Sequence, residues 1–279
     1  LIMTATPIPR TLAMTFYGDL EVSIINELPP GRKDIKTSHR FEKHRLNVFE
    51  FVRSQVKIGR QVYMVFPLIK ESEKLDFHNL MDGFEAVSRS FPLPEYKISI
   101  VHGQMKSKEK DFEMQRFVKG ETQIMVATTV IEVGVNVPNA SVMIIESAER
   151  FGLSQLHQLR GRVGRGADQS FCILMTGVEL SKESKKRMQT MVNTNDGFEI
   201  AEVDLQLRGP GDLIGTQQSG VLDLKISDLR KDGQIVIMAR EAARKLIQDD
   251  PKIEHQMNSR IKETISKIIS NKPDWGKIA

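Results

Sequence analysis

The residues best suited to chemistry lie in one short run, Gln158-Leu-Arg160-Gly161-Arg162-Val-Gly164-Arg165. Two glycines allow a tight backbone turn at a helix-to-loop boundary, and they alternate with arginines that stay charged at physiological pH. Guanidinium groups presented in this way can neutralise charge that develops on a transferred phosphoryl group. A lone Arg-Gly pair would more simply bind its own helix carbonyls. Three arginines at this spacing, after a strand and a helix, favour an anion site.

A second run, Ala127-Thr128-Thr129-Val-Ile-Glu132-Val-Gly134-Val-Asn136-Val-Pro138, begins as an apolar strand and opens into two threonines and a glycine. Sheets of α/β type bind ligands just beyond the carboxyl ends of their strands, where threonine hydroxyls and backbone N–H groups hold phosphate oxygens. Taken alone, Thr-Thr at a strand end is an ordinary helix cap. His102-Gly103 ends another strand and can approach a DNA backbone, although a single histidine there is more often structural. Lys182, Lys185, Lys186 and Arg187 outnumber Glu179 and Glu183 along one stretch, which alone reads as a solvated basic helix face. From Gly31 to Arg45, six cations face two acids, as suits either a DNA-facing hinge or a solvated linker. The histidines are scattered and Cys172 sits alone in an apolar strand, so no metal ligand set is expected.

Elements that would position these residues follow from hydrophobic period. Leu46, Phe49, Val52 and Val56 recur three to four apart and predict a helix over 44–56. Phe77, Leu80, Met81, Phe84, Val87 and Phe91 do the same over 72–91, and further helices are expected near 107–119 and 154–159. Short apolar runs at 61–66, 98–102, 123–127, 142–146 and 170–175 read as buried strands. Buried strands alternating with helices predict a doubly wound parallel α/β sheet. After Thr176 the alternation stops. A polar helix over 181–195 with Gly197 at its end is expected, then an ordered glycine-rich loop over 208–220. Ile235, Met238, Ala242 and Leu246 predict another helix, and Ile253, Met257, Ile261, Ile265 and Ile269 a last one.

Composition sets outer bounds. The 279 residues are 40% hydrophobic and 27% charged, enough for a packed core, with a net charge of +4 that tolerates a nucleic-acid partner without requiring one. One cysteine excludes an internal disulfide framework and fits a reducing, cytoplasmic compartment. No apolar run reaches the roughly 20 residues of a membrane helix. Leu1-Ile-Met3 leads at once into Thr4-Ala5-Thr6-Pro7, without the basic flank of a secretory signal, and reads as the middle of a strand.

In these residues the chain resembles the superfamily 2 helicases. Gln158 to Arg165 has the pattern Gln-x-x-Gly-Arg-x-Gly-Arg of their last motif, Ala127 to Pro138 resembles their fifth, and Thr4-Ala5-Thr6 their third. Longer words, Thr4-Ala-Thr-Pro-Ile-Pro-Arg10, Tyr17-Gly-Asp-Leu20, Glu27-Leu-Pro-Pro-Gly-Arg-Lys33, and Asp196 to Glu202 through Gln218-Ser-Gly220, are similar to the RecG family of branch-migrating DNA helicases. The resemblance implies a strip of a first RecA-like lobe over 1–33, a complete second RecA-like lobe over 34–178, and a translocation hairpin, loop and C-terminal helices over 179–279. Arg162 and Arg165 match arginines that reach the nucleotide γ-phosphate, and Gln158 a glutamine that positions the hydrolytic machinery. Gly134 matches a glycine beside the nucleotide. Asn136 stands where many members carry Asp against the ribose, and an amide brings no charge there. Thr128, with Thr129 and His102, falls on the DNA side. Thr4, Thr6, Arg187, Arg208 and Gln218 fall on motifs that couple hydrolysis to movement.

Neither a Gly-x-x-x-x-Gly-Lys-[Ser/Thr] phosphate loop nor an Asp-Glu-x-[Asp/His] box occurs in the sequence. Within the resemblance both belong to a first lobe, so the chain is expected to be a C-terminal piece, inactive alone, of an ATP- and Mg2+-dependent enzyme whose nucleotide is held mainly by that lobe. Expected partners are branched or forked duplex DNA and the same protein's first lobe and wedge domain. The full-length protein is expected to be a monomer, with no membrane; the sequence does not fix the oligomeric state of this piece. The alternatives are a transcription-repair coupling translocase, which shares the Arg208 loop, and a non-catalytic DNA-binding module.

Overall fold

The structure, a computed structural model, describes residues 33–67, 73–128, 137–166, 168–208 and 233–270. Six strands form from β-branched and apolar runs: β1 (Lys36–Phe41), β2 (Gln61–Val65), β3 (Ile98–Val101), β4 (Ile124–Ala127), β5 (Ala140–Ile145) and β6 (Phe171–Thr176). They pair in the order β1-β6-β5-β2-β4-β3, with every neighbour parallel. Parallel pairing requires crossovers. Helices α1 (Arg45–Lys57), α2 (Glu73–Ser90), α3 (Ser107–Val118) and α4 (Leu153–Arg160) lie between successive strands. Two more, α5 (Lys182–Asn193) and α6 (Gly197–Arg208), follow β6.

Side-chain alternation gives the sheet two buried faces. Val62, Met64, Ile124, Val126, Val142 and Ile144 meet Val48, Phe49 and Val52 of α1 and Leu80 and Val87 of α2. On the other face Tyr63, Val65, Met125, Met143, Cys172 and Leu174 meet Phe117, Leu156, Leu159, Met188 and Ile200 from α3, α4, α5 and α6. Each large apolar side chain removed from water in this way contributes about 1.5–3 kcal/mol. Helices α5 and α6 therefore pack on the flank of the sheet.

The period-based expectations differ from the structure at three places. The basic stretch from Gly31 to Arg45 contains β1 as well as a connection; Thr37, His39 and Phe41 are only half-exposed, while Lys36 and Arg40 point to water. Gly197 begins α6 instead of closing α5, because Asp196 Oδ1 accepts the Phe198 N–H at 2.7 Å. Ile253 has φ +52° and lies in a turn, so the last helix starts only at Ser259.

In α2, Gly83 occupies a helix interior, where Ala would be preferred. A Cβ there would overlap the Phe66 ring, so the glycine lets the residue just after β2 lie on the helix backbone. Residues 233–270 belong to a separate unit and comprise α7 (Gly233–Asp249) and α8 (Ser259–Ser270). Asp250 joins them, accepting from Asn258 Nδ2 and from the N–H groups of Glu254 and His255, each at 2.9 Å. The Asn258 bond leads in holding the Asp250 carboxyl at about 2. No described helix is long and apolar enough to cross a membrane.

Candidate functional site

The glycine-arginine run ends α4. Leu153, Leu156 and Leu159 anchor one side of this helix in the core, and Ser154 Oγ donates to Asp204 Oδ2 of α6 at 3.1 Å. Its last carbonyls are taken in sequence: Gly161 N–H donates to His157 O at 3.0 Å, Arg162 N–H to Leu159 O at 3.0 Å, and Val163 N–H to Arg160 O at 3.3 Å. Val163 is fully buried between Arg162 and Arg165 and pins the turn to the core. Gly164 follows with φ +75°, a left-handed conformation that suits glycine.

The three arginines have different fates. Arg160 is turned inward, 2% exposed, and its Nη1 donates to Met191 O at 2.9 Å and Thr194 O at 2.8 Å. Burial lowers its pKa from the ordinary value. It caps the end of α5 and does not face an external anion, which corrects the expectation of three arginines aimed at one ligand. Arg162 is half-exposed and Arg165 exposed, with Arg165 Nε 3.5 Å from Gly161 O. Burial pushes the Tyr63 phenol up to about 12, and the charges of Arg165 and then Arg162 oppose that rise. Both guanidiniums therefore act on one region of the sheet face. Gln158 is half-buried on α4, one turn before Arg162.

The segment leading into β5 closes on the same turn. A Cβ on Gly166 would stand 2.8 Å from Pro138 O, so the end of the Ala127–Pro138 run lies over the arginine turn. Gly134, Asn136 and Thr129 lie outside the described residues.

Thr128, second residue of that run, lies beyond the carboxyl end of β4. Its N–H donates to Val101 O at 3.3 Å, which places it beside His102. The Thr128 hydroxyl is buried without a hydrogen-bond partner among the described residues. Burial, helped by Lys110, lowers the His102 pKa, so this ring stays neutral at neutral pH and offers hydrogen bonds instead of charge. Lys110 itself donates to Gly103 O at 2.9 Å. The arginine turn packs on Ile35 and Pro138, which precede the amino ends of β1 and β5, so Thr128 and the turn lie at opposite ends of the parallel strands.

The coupling residues are placed in part. Arg187 does not join the exposed Lys182, Lys185 and Lys186; its Nη2 donates to Glu149 O at 3.1 Å and to Ser184 Oγ at 3.0 Å, and its Nη1 to Phe151 O at 2.5 Å. It clamps α5 to the segment that feeds α4. Arg208 is the last residue of α6, with a side chain outside the described set, as are Thr4, Thr6 and Gln218. Sequence reasoning missed the pair of Arg45 and Glu146, bidentate at 2.7 and 2.9 Å. No periodic signal marks two residues 101 positions apart, although a carboxylate ending an apolar strand asks for a partner.

Comparison with known proteins agrees with this arrangement. The family model for the helicase conserved C-terminal domain matches residues 44–167, and that for ATP-dependent DNA helicase RecG, domain 3, C-terminal, matches residues 194–279. ATP-dependent DNA helicase RecG of Synechocystis sp. is 51% identical over 262 residues, covering 94% of this chain and 31% of the relative. The chain belongs to the RecG family. RecG of Bacillus subtilis is 50% identical over 252 residues, 90% of this chain and 36% of the relative. A structure of RecG bound to a three-way DNA junction superposes with a TM-score of 0.65 at 43% identity, over 83% of this chain and 30% of that one. The sheet described above is thus the second RecA-like lobe of a RecG-type motor. The chain spans about a third of the length of the curated relatives it matches.

Proposed function

We propose that this RecG-family chain supplies the second motor lobe and coupling helices of an ATP-dependent DNA helicase, one that remodels stalled replication forks and Holliday junctions in repair and recombination. The observation that carries this reading is the arginine turn: two guanidiniums held on a glycine-rich turn, with a buried valine between them and a third arginine diverted to structure. Such a donor set fits the terminal phosphates of ATP with Mg2+, most of whose binding groups would come from the first lobe. The nucleotide supplies the phosphoryl group and the free energy. Arg162 and Arg165 would stabilise charge at the γ-phosphate oxygens, and Gln158 would orient the attacking water through its amide. Gly134 and Asn136 would border the nucleotide.

Thr128, Thr129 and His102 would meet a DNA phosphate beyond the carboxyl end of β4, where the Thr128 hydroxyl has no hydrogen-bond partner among the described residues. Arg187, Arg208, Gln218, Thr4 and Thr6 would link lobe closure to duplex movement. The partner is branched or forked duplex DNA, engaged by a monomeric enzyme in the cytoplasm. In the full-length protein Arg165→Ala should lower DNA-stimulated ATP hydrolysis about a thousandfold, with junction affinity by mobility shift nearly unchanged. Equal loss of both would remove the γ-phosphate role.

A further inference from the structure

The chain leads into β1 through Asp34 and Ile35, and Ile35 lies against the arginine turn. A Cβ on Gly164 would stand 2.9 Å from Ile35 Cγ1 and 3.1 Å from Ile35 Cδ1, so the isoleucine rests directly on the backbone between Arg162 and Arg165. Just beyond the turn, Gln169 Nε2 donates to Asp34 O at 2.8 Å, and Lys36 N–H donates to Ser170 O at 3.0 Å. Asp168 pairs with Arg60 at 2.6 Å and ties the same connection to the start of β2.

Apart from the buried Val163, the turn over 161–166, with glycines at 161, 164 and 166, has little side-chain packing of its own to fix its shape. What packs on it adds to that anchor: Ile35 at Gly164, and Pro138 O at Gly166. We propose that Ile35 is a positioning residue for Arg162 and Arg165. Seated on Gly164 and backed by the Gln169–Asp34 bond, it makes the arginine turn move with the segment that delivers the chain to β1. Close-packed contacts transmit displacement instead of absorbing it, so a shift of residues 34–35 must carry the turn or open a void. An error of about 1 Å in a group that meets the reacting phosphate lowers rate by up to about a hundredfold. The proposal rests on the γ-phosphate reading of the two arginines and adds a residue outside the helicase motifs.

The test uses the full-length protein. Ile35→Ala should lower kcat for DNA-stimulated ATP hydrolysis about tenfold or more, with KM for ATP and junction affinity within about twofold. In the same variant, amide hydrogen exchange in the peptide spanning residues 161–166 should speed up. Ile35→Val keeps the Cγ1 contact and should restore most of the rate. Leu180→Ala is the matched control, since Leu180 packs partly buried on the same core cluster from a different segment. At equal loss of Tm, Leu180→Ala should leave exchange at 161–166 unchanged. If it speeds that exchange and lowers kcat as much as Ile35→Ala, Ile35 is ordinary core and the proposal fails. Unchanged exchange and kcat in Ile35→Ala would also overturn it. Should Arg165→Ala hydrolyse ATP normally, the γ-phosphate reading falls, while the exchange data still decide whether Ile35 holds the turn.

Discussion

Arg160 and Arg165 share a motif and have opposite surroundings. One has donors fixed on the carbonyls of Met191 and Thr194, at a helix end whose dipole welcomes a cation. The other projects into solvent from a left-handed turn. Spacing announces that three arginines matter but not which of them turns inward, because α5, the helix that Arg160 caps, comes later in the chain. His157 shows the same dependence on context. Burial, with Arg160 adding repulsion, lowers its pKa to about 4 from the ordinary 6.5. A histidine with a depressed folded pKa binds its proton first in the unfolded chain, so its neutral form favours folding above pH 6.5 and that contribution drains away as pH falls toward 4. Chemical denaturation of the protein across this range should show stability declining on the acid side, and His157→Gln should flatten the decline. An unaltered slope in the variant would assign it to other groups.

Helices and strands were read from periodicity where one face is uniformly apolar. β2 is fully buried and unmistakable, and Val48, Phe49 and Val52 of α1 and Leu80 and Val87 of α2 are buried against it, although Leu46 of the predicted row is 76% exposed. β1 was hidden because an edge strand keeps charged residues on its exposed positions, and Lys36 and Arg40 made it resemble a linker. α6 was obscured by reading Gly197 as a stop when the capping Asp196 makes it a start. In α2 the element-scale surprise is Gly83. Replacing it with Ala would improve helix propensity by about 1 kcal/mol, yet the new Cβ would meet the Phe66 ring. Gly83→Ala should therefore destabilise the protein by about 1–3 kcal/mol in thermal melts. Combining it with Phe66→Ala should cost less than the sum of the two single changes. Strict additivity would show that ring and helix backbone do not compete for the same space.

At the scale of the molecule, a parallel class was legible and strand order was not. Order depends on pairings across the sheet, such as β5 between β6 and β2, that leave no local pattern. The ion pair of Arg45 and Glu146 belongs to this scale, joining the start of α1 to the carboxyl end of β5. Burial disfavours the Arg45 charge, but the Glu146 hydrogen bond and charge outweigh it and raise the pKa. The Glu146 side chain is 5% exposed, so Arg45→Ala would strand a buried carboxylate and should cost about 3 kcal/mol. The double variant Arg45→Ala/Glu146→Ala should recover part of that loss in urea titrations. A double variant no better than Arg45→Ala would mean the arginine acts mainly through its packing on Phe49, whose ring centroid lies 5.8 Å away.

Cys172 gives the sheet an internal clock. It is the only thiol in the sequence, fully buried in β6, and burial pushes it up to about 12. A thiol so deeply protonated and covered reacts with alkylating agents only when the helices packed on that face of the sheet lift away from β6. Its labelling rate therefore times the opening of the lobe's centre, with no engineered probe. For the same reason, a cysteine placed on the surface of this chain for a fluorophore would take up label against almost no background.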